Sequence, residues 1–106
     1  MAEILIAVSD IIDYTKIKEM ASKYGIRSVL PQNYKNGELS AIILDLGDKS
    51  MIDVVKKLNS NAHVIGFYSH VKIELKAMAE NLGWESVPRS ALENKLIELF
   101  AKSKSI

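Results

Sequence analysis

Residues 41–46 read AIILDL, an apolar run broken only by Asp45. A run this short and continuous fits a strand covered on both faces, the condition of a parallel sheet. Working outward, similar short runs occur at Ile4–Val8, Ile26–Leu30, Val64–Tyr68 and Trp84–Val87. Between them the period becomes helical. Ile17, Met20, Ala21 and Tyr24 fall at i, i+3, i+4 and i+7, and Gly25 supplies the stop. Met51, Val54, Val55 and Leu58 form a second stripe, opened by Ser50 with Asp53 at capping-box spacing. Val71, Leu75, Met78, Ala79 and Leu82 form the longest stripe, which Gly83 ends. Leu92, Leu96, Leu99 and Phe100 form the last, with Ser90 and Glu93 as its capping box.

Strand and helix therefore alternate, which predicts one α/β domain over residues 1–106, a doubly wound parallel sheet with helices on both faces. The weak link is PQNYKNGELS at 31–40, where the second crossover helix belongs. A crossover usually takes about a dozen residues or more, so one helical turn or an irregular loop is expected here.

Composition removes several functions. Lys plus Arg is 14 and Asp plus Glu is 13, so a net charge of +1 provides no global field toward nucleic acid or a membrane surface. Lys49, Lys56 and Lys57 read as a solvated helix face rather than a nucleic-acid patch. There is no cysteine, which removes disulfide frameworks, zinc ribbons and thiol catalysis. The opening MAEILIAVSD has no basic region before its apolar run, and that run is too short for a signal or membrane segment. A cytoplasmic location is the expectation, and AKSKSI at the end reads as a polar, fraying tail. No G-x-G-x-x-G occurs, and nothing marks a strained nucleophile turn, so no enzyme class is expected.

In a doubly wound sheet, ligands bind beyond the carboxyl ends of the strands. Those ends carry Ser9 and Asp10, then Asp45, then Ser69 and His70, then Pro88, Arg89 and Ser90. Asp45 is the sharpest single feature, because an unpaired buried carboxylate is costly and so belongs at the rim or beside Arg89. Asp10 suits an N-cap of the first helix and equally a metal ligand; both roles can coexist. Ser90 reads more simply as the cap of the last helix. His63 reads as a solvated turn residue, and His70 has no second ligand nearby to support metal or acid–base work.

ILIAVSD (4–10), AIILDL (41–46), VIGFYS (64–69) and SVPRS (86–90) resemble the four signature segments of response-regulator receiver domains. The resemblance implies the flavodoxin-like strand order 2-1-3-4-5. It implies that Asp45 matches the phosphoacceptor and Asp10 the second of a Mg²⁺-binding acidic pair, so that Asp10 and Asp45 would be the metal ligands. The departures are specific. Ser9 stands where the first acidic residue belongs, Tyr68 falls on the Thr/Ser position with Ser69 one residue late, and Arg89 replaces the lysine. Phosphoryl transfer to a carboxylate needs a metal to neutralise charge and a cation on the moving group. Arginine's planar fork is not equivalent to a compact ammonium. Mg²⁺ affinity should fall unless Asp13 or Asp48 swings in.

The pattern is thus that of a divergent, pseudo-receiver-like, stand-alone module acting through protein–protein contacts, with Ser9, Asp10, Tyr68, Ser69 and Arg89 around Asp45. Two alternatives are a genuine phosphoacceptor receiver served by a histidine kinase and Mg²⁺, and a small-molecule-binding domain using the same rim. Helical spacing also leaves Ile73 and Ala77 opposite the Val71–Leu82 stripe and Ile97 outside the last stripe, with Trp84 between the two helices. These four residues define a candidate interface for an unidentified protein partner or a homodimer.

Overall fold

In the computed structural model, which describes residues 3–35, 37–58, 60–69 and 71–104, the first strand β1 spans Glu3–Ala7 and leads into helix α1, Ile11–Lys23. Then follow β2 (Arg27–Val29), a 3₁₀ turn at Pro31–Asn33, β3 (Ala41–Asp45), α2 (Lys49–Lys57) and β4 (His63–Tyr68). The chain continues through α3 (Glu74–Asn81), β5 (Glu85–Pro88), a second 3₁₀ turn at Arg89–Ala91 and α4 (Leu92–Lys104). All strand pairs are parallel and the order is β2-β1-β3-β4-β5. The expected doubly wound sheet is the fold of this chain.

Alternation along each central strand feeds two separate cores. Ile4, Ile6, Ile43, Ile65 and Phe67 meet Ile17 and Ala21 of α1 and Leu96 and Phe100 of α4. Leu5, Ala7, Leu44, Val64 and Tyr68 point to the other side, against Ile52 and Val55 of α2 and Ala79 of α3. β1 and β3 are buried on both faces, which is why their sequences read as continuous apolar runs.

Helices α1 and α3 end alike. Gly25 and Gly83 take φ of 72° and 77°, the left-handed region that favours glycine. The N–H groups of Ile26 and Trp84 then bond the carbonyls of Ala21 and Ala79, at 2.9 and 3.0 Å, closing Schellman motifs that launch β2 and β5. Trp84 is therefore half-buried, packed against the α2/α3 core. The apolar residue after the glycine anchors the turn, so Trp84 supports the fold beneath the interface expected of it.

Three local expectations are corrected. Asp48, not Ser50, caps α2: its Oδ1 accepts the Met51 N–H at 3.3 Å and the Ser50 hydroxyl at 2.6 Å. α3 starts at Glu74 because Lys72 N–H turns back to the Ser69 carbonyl at 2.8 Å. Val71 is consequently 74% exposed and Leu82 is 38% exposed, leaving Leu75, Met78 and Ala79 to face the sheet. Ser90 lies exposed within the 3₁₀ turn that leads into α4, so no Ser90–Glu93 box opens the helix. The tail also differs from expectation, since α4 continues through Lys104.

The short crossover is as expected. Among its described residues the one helical element is Pro31–Asn33, and Val29, Tyr34 and Leu39 pack over the core where a full helix would lie. The Tyr34 hydroxyl fixes that segment by donating to the Gly37 carbonyl at 2.9 Å. Among the described residues no helix is long and apolar enough to cross a membrane.

Candidate functional site

The carboxyl ends of β1, β3, β4 and β5 share one edge of the sheet, and the chemistry-bearing residues gather there. Asp10 follows β1 and caps α1, its Oδ1 accepting the N–H groups of Ile12 and Asp13 at 2.9 and 3.0 Å. Capping was one of its two expected roles. The cap also positions Asp13, three residues on, on the same face of the first helical turn.

Asp13 receives Arg89. One guanidinium nitrogen, Nη1, donates to both Asp13 oxygens at 2.8 Å. The guanidinium also lies 5.1 Å from the centre of the Phe67 ring, a cation–π contact. Contact with Asp13 raises the Arg89 pKa against the opposing effect of burial, and Asp45 and Asp10 add to the rise. Of the two placements expected for Asp45, at the rim or paired with Arg89, the rim is the one found, and Arg89 pairs with Asp13. Asp13 offers Arg89 two oxygens from the facing helix, whereas Asp45 turns Oδ1 back to the Gly47 N–H at 2.9 Å.

Asp45 ends β3 half-buried, with Phe67 as its register partner on β4. Burial pushes its pKa upward; the Gly47 N–H and Arg89 oppose this, and Asp48 and Asp13 reinforce it. Asp48 is held differently. It accepts hydroxyl donors from Ser50 at 2.6 Å and from Ser9 at 2.5 Å, and these bonds lower its pKa. Ser9, at a position where a carboxylate was expected from the resemblance, therefore acts as a hydrogen-bond donor to one.

Of the expected pocket residues, the structure brings Ser9, Asp10, Asp45 and Arg89 to this rim. Ser69 is half-buried just past β4. Tyr68 is corrected: it is 6% exposed and packs in the α2/α3 core, across the sheet from Phe67 and Arg89. Adjacent strand residues point to opposite faces, so a side chain next to Phe67 cannot share its side. His70 lies outside the described residues. His63, expected as a solvated turn residue, is instead the first residue of β4, with its Nε2 2.7 Å from Glu85.

Asp13, Asp48 and Phe67 complete the rim although the pocket expected from sequence omits them. A sequence signal existed for Asp13, since i+3 from a helix cap shares the cap's face. None existed for its pairing with a residue 76 positions away.

Among the described residues no three His, Cys, Asp or Glu side chains are grouped so that they could hold a metal ion. Asp48 is turned to two hydroxyls, Asp13 is paired with Arg89, and the charge of that guanidinium acts on Asp45. The arrangement does not fit a divalent cation. Beside the Asp13–Arg89 pair a groove of about 480 Å³ runs between α1 and α4, lined by Lys16, Met20, Glu93 and Leu96 among others.

No protein-family model and no curated protein matches the sequence. Solved structures do. The receiver domain of the Francisella response regulator 1452 covers 98% of this chain and 100% of its own, at TM-score 0.67 and 19% identity. A response regulator receiver protein from Burkholderia phymatum covers 95% and 96% respectively, at TM-score 0.70 and 14% identity. The chain has the receiver-domain fold.

Proposed function

We propose that this receiver-fold chain is a cytoplasmic, non-enzymatic signalling module that acts through protein–protein contacts, with phosphorylation at Asp45 weak or absent. The observation that carries this reading is the engagement of the rim carboxylates with protein groups. Asp13 holds Arg89, Asp10 caps α1, Asp48 accepts two hydroxyls and Asp45 accepts the Gly47 N–H. A phosphoacceptor needs the opposite arrangement, with carboxylates free to share a metal and a cation free to meet the incoming phosphoryl group.

Contact with another protein is supported by large apolar side chains in solvent. Ile11 and Ile12 are 71% and 64% exposed beside the rim, and Ile73 and Ile97 are 62% and 41% exposed on either side of β5. Our reading assigns Ile73, Ala77 and Ile97 to an association surface, a second copy of this chain being one occupant. Incubation with acetyl phosphate and Mg²⁺ followed by intact-mass measurement tests the proposal. Little or no adduct is expected. A stoichiometric adduct that disappears in Asp45→Asn would establish the phosphoacceptor alternative instead.

A further inference from the structure

We infer that Arg89 is the resident cation of this rim and that its guanidinium, paired with Asp13, disfavours a divalent metal beside Asp45. The inference rests on the reading of the chain as a receiver-like module whose phosphoacceptor is weak or silent.

Three features converge on it. Arg89 is paired with Asp13 at hydrogen-bond distance, and the charges of Asp45 and Asp10 act on it more weakly. Its position is fixed from beneath by the Phe67 ring, and Phe67 is the register partner of Asp45. The Arg89 side chain remains half exposed, with its guanidinium on the Asp45 face of the sheet. The fourth carboxylate, Asp48, is satisfied by Ser9 and Ser50.

A guanidinium differs from a metal in being covalently attached and charged at all working pH. A divalent ion entering this rim would meet a fixed positive charge and would compete with the Asp13–Arg89 pair and the Asp10 cap for carboxylate oxygens. Like-charge repulsion at such range is sufficient to weaken binding by roughly tenfold or more. The substitution of Ser9 for a carboxylate and the recruitment of Arg89 by Asp13 are then one device. Negative charge has been withdrawn from the metal position, and the cation at the end of β5 is engaged by a carboxylate of α1.

The test is a Mn²⁺ titration followed by electron paramagnetic resonance, with Mn²⁺ alone as the probe. The wild type should leave the free-ion signal indistinguishable from that of Asp45→Asn up to millimolar ion. Arg89→Gln should bind Mn²⁺ roughly tenfold or more tighter than wild type, and Arg89→Gln combined with Asp45→Asn should lose the gain. Arg89→Lys, which keeps the charge, should not gain. Arg89→Met, whose stem still covers Phe67, is the second neutral variant should Arg89→Gln fail to fold by circular dichroism. Two results overturn the inference: wild-type Mn²⁺ binding that Asp45→Asn removes, or folded neutral variants that gain no affinity. The functional reading fails separately, through a phosphate adduct on the wild type.

Discussion

Gly66 on β4 and Leu46 after β3 are interlocked, for a Cβ built on Gly66 would lie 2.6 Å from both Cγ and Cδ2 of Leu46. Leu46 is 1% exposed and held by its own N–H bond to the Phe67 carbonyl at 3.0 Å, so it has no room to withdraw. Gly66→Ala should therefore destabilise the fold by about 1–3 kcal/mol through overpacking. Adding Leu46→Ala should recover part of that loss, because the two positions share one space. Urea denaturation of the two single variants and the double variant measures the coupling. Simple additivity would show that the contact does not restrict the strand.

Asp45 supplies a prediction with a definite sign. Burial raises its folded pKa above the ordinary value of 3.8, so the folded state favours the protonated carboxyl more than the unfolded chain does. Its favourable contribution is full below the unfolded pKa and is lost as pH rises through the folded one. At pH 7 the charged form opposes folding, and Asp45→Asn should raise the melting temperature. The gain should shrink toward zero as the pH falls below about 4. Thermal melts of both proteins across this range suffice. An Asp45→Asn variant less stable than wild type at pH 7 would mean that the charge of Asp45 is needed where it sits.

Glu85 behaves in the opposite way. Its Oε2 meets Lys95 of α4 at 2.6 Å and its Oε1 meets His63 of β4 at 2.7 Å, and the Lys95 bond is the chief cause of its lowered pKa. A depressed folded pKa gives stability that is present above the unfolded value of 4.5 and is lost as pH falls through the folded value. Glu85→Gln should cost up to about 1 kcal/mol at neutral pH, discounted for its partial exposure. The difference from wild type should close in acid. A penalty that stays constant with pH would assign the effect to packing instead of charge.

The cap of α2 shows how far the sequence could be read. In DKSMID the Ser50–Asp53 spacing imitates a capping box and draws the reading to Ser50. The structure selects Asp48, whose carboxylate reaches the Met51 N–H and also takes the Ser9 hydroxyl from across the rim. That second bond joins positions 39 apart, so no local pattern contains it. The strands were legible for the converse reason. Double coverage forces apolar residues onto both faces of β1 and β3, and a composition requirement is visible in sequence. Tyr68 was readable in principle, since strand alternation places it opposite Phe67. The start of α3 was not, because the Ser69–Lys72 turn displaces an apolar residue, Val71, that periodicity assigns to the helix.

Asp48→Ala should accordingly destabilise by about 1 kcal/mol, the usual loss of an N-cap, whereas Ser50→Ala should cost a few tenths. Chemical denaturation of the two variants decides between the caps. Equal losses would mean that Ser50 shares the role.

The flanks of β5 carry the last prediction. Ile73 begins the turn into α3 and is 62% exposed, Ala77 is exposed one turn later, and Ile97 is 41% exposed on α4. Trp84 does not join them, since the Schellman motif draws it into the α2/α3 core. Scattered apolar residues are normal on a monomer, but these lie on the two helices that flank a strand with no neighbour beyond it in the described sheet. Pro88 blunts that edge by removing an N–H, so association by strand addition is disfavoured and helix-face contact is the route left. We expect self-association of the wild type at high micromolar concentration, measured by sedimentation equilibrium. Ile97→Glu and Ile73→Glu should each shift the protein to monomer without lowering its melting temperature appreciably, as befits exposed sites. A wild type that stays monomeric over this range would leave the surface to a different protein. A dimer indifferent to both substitutions would place the contact elsewhere, with Ile11 and Ile12 beside the rim as the next positions to change.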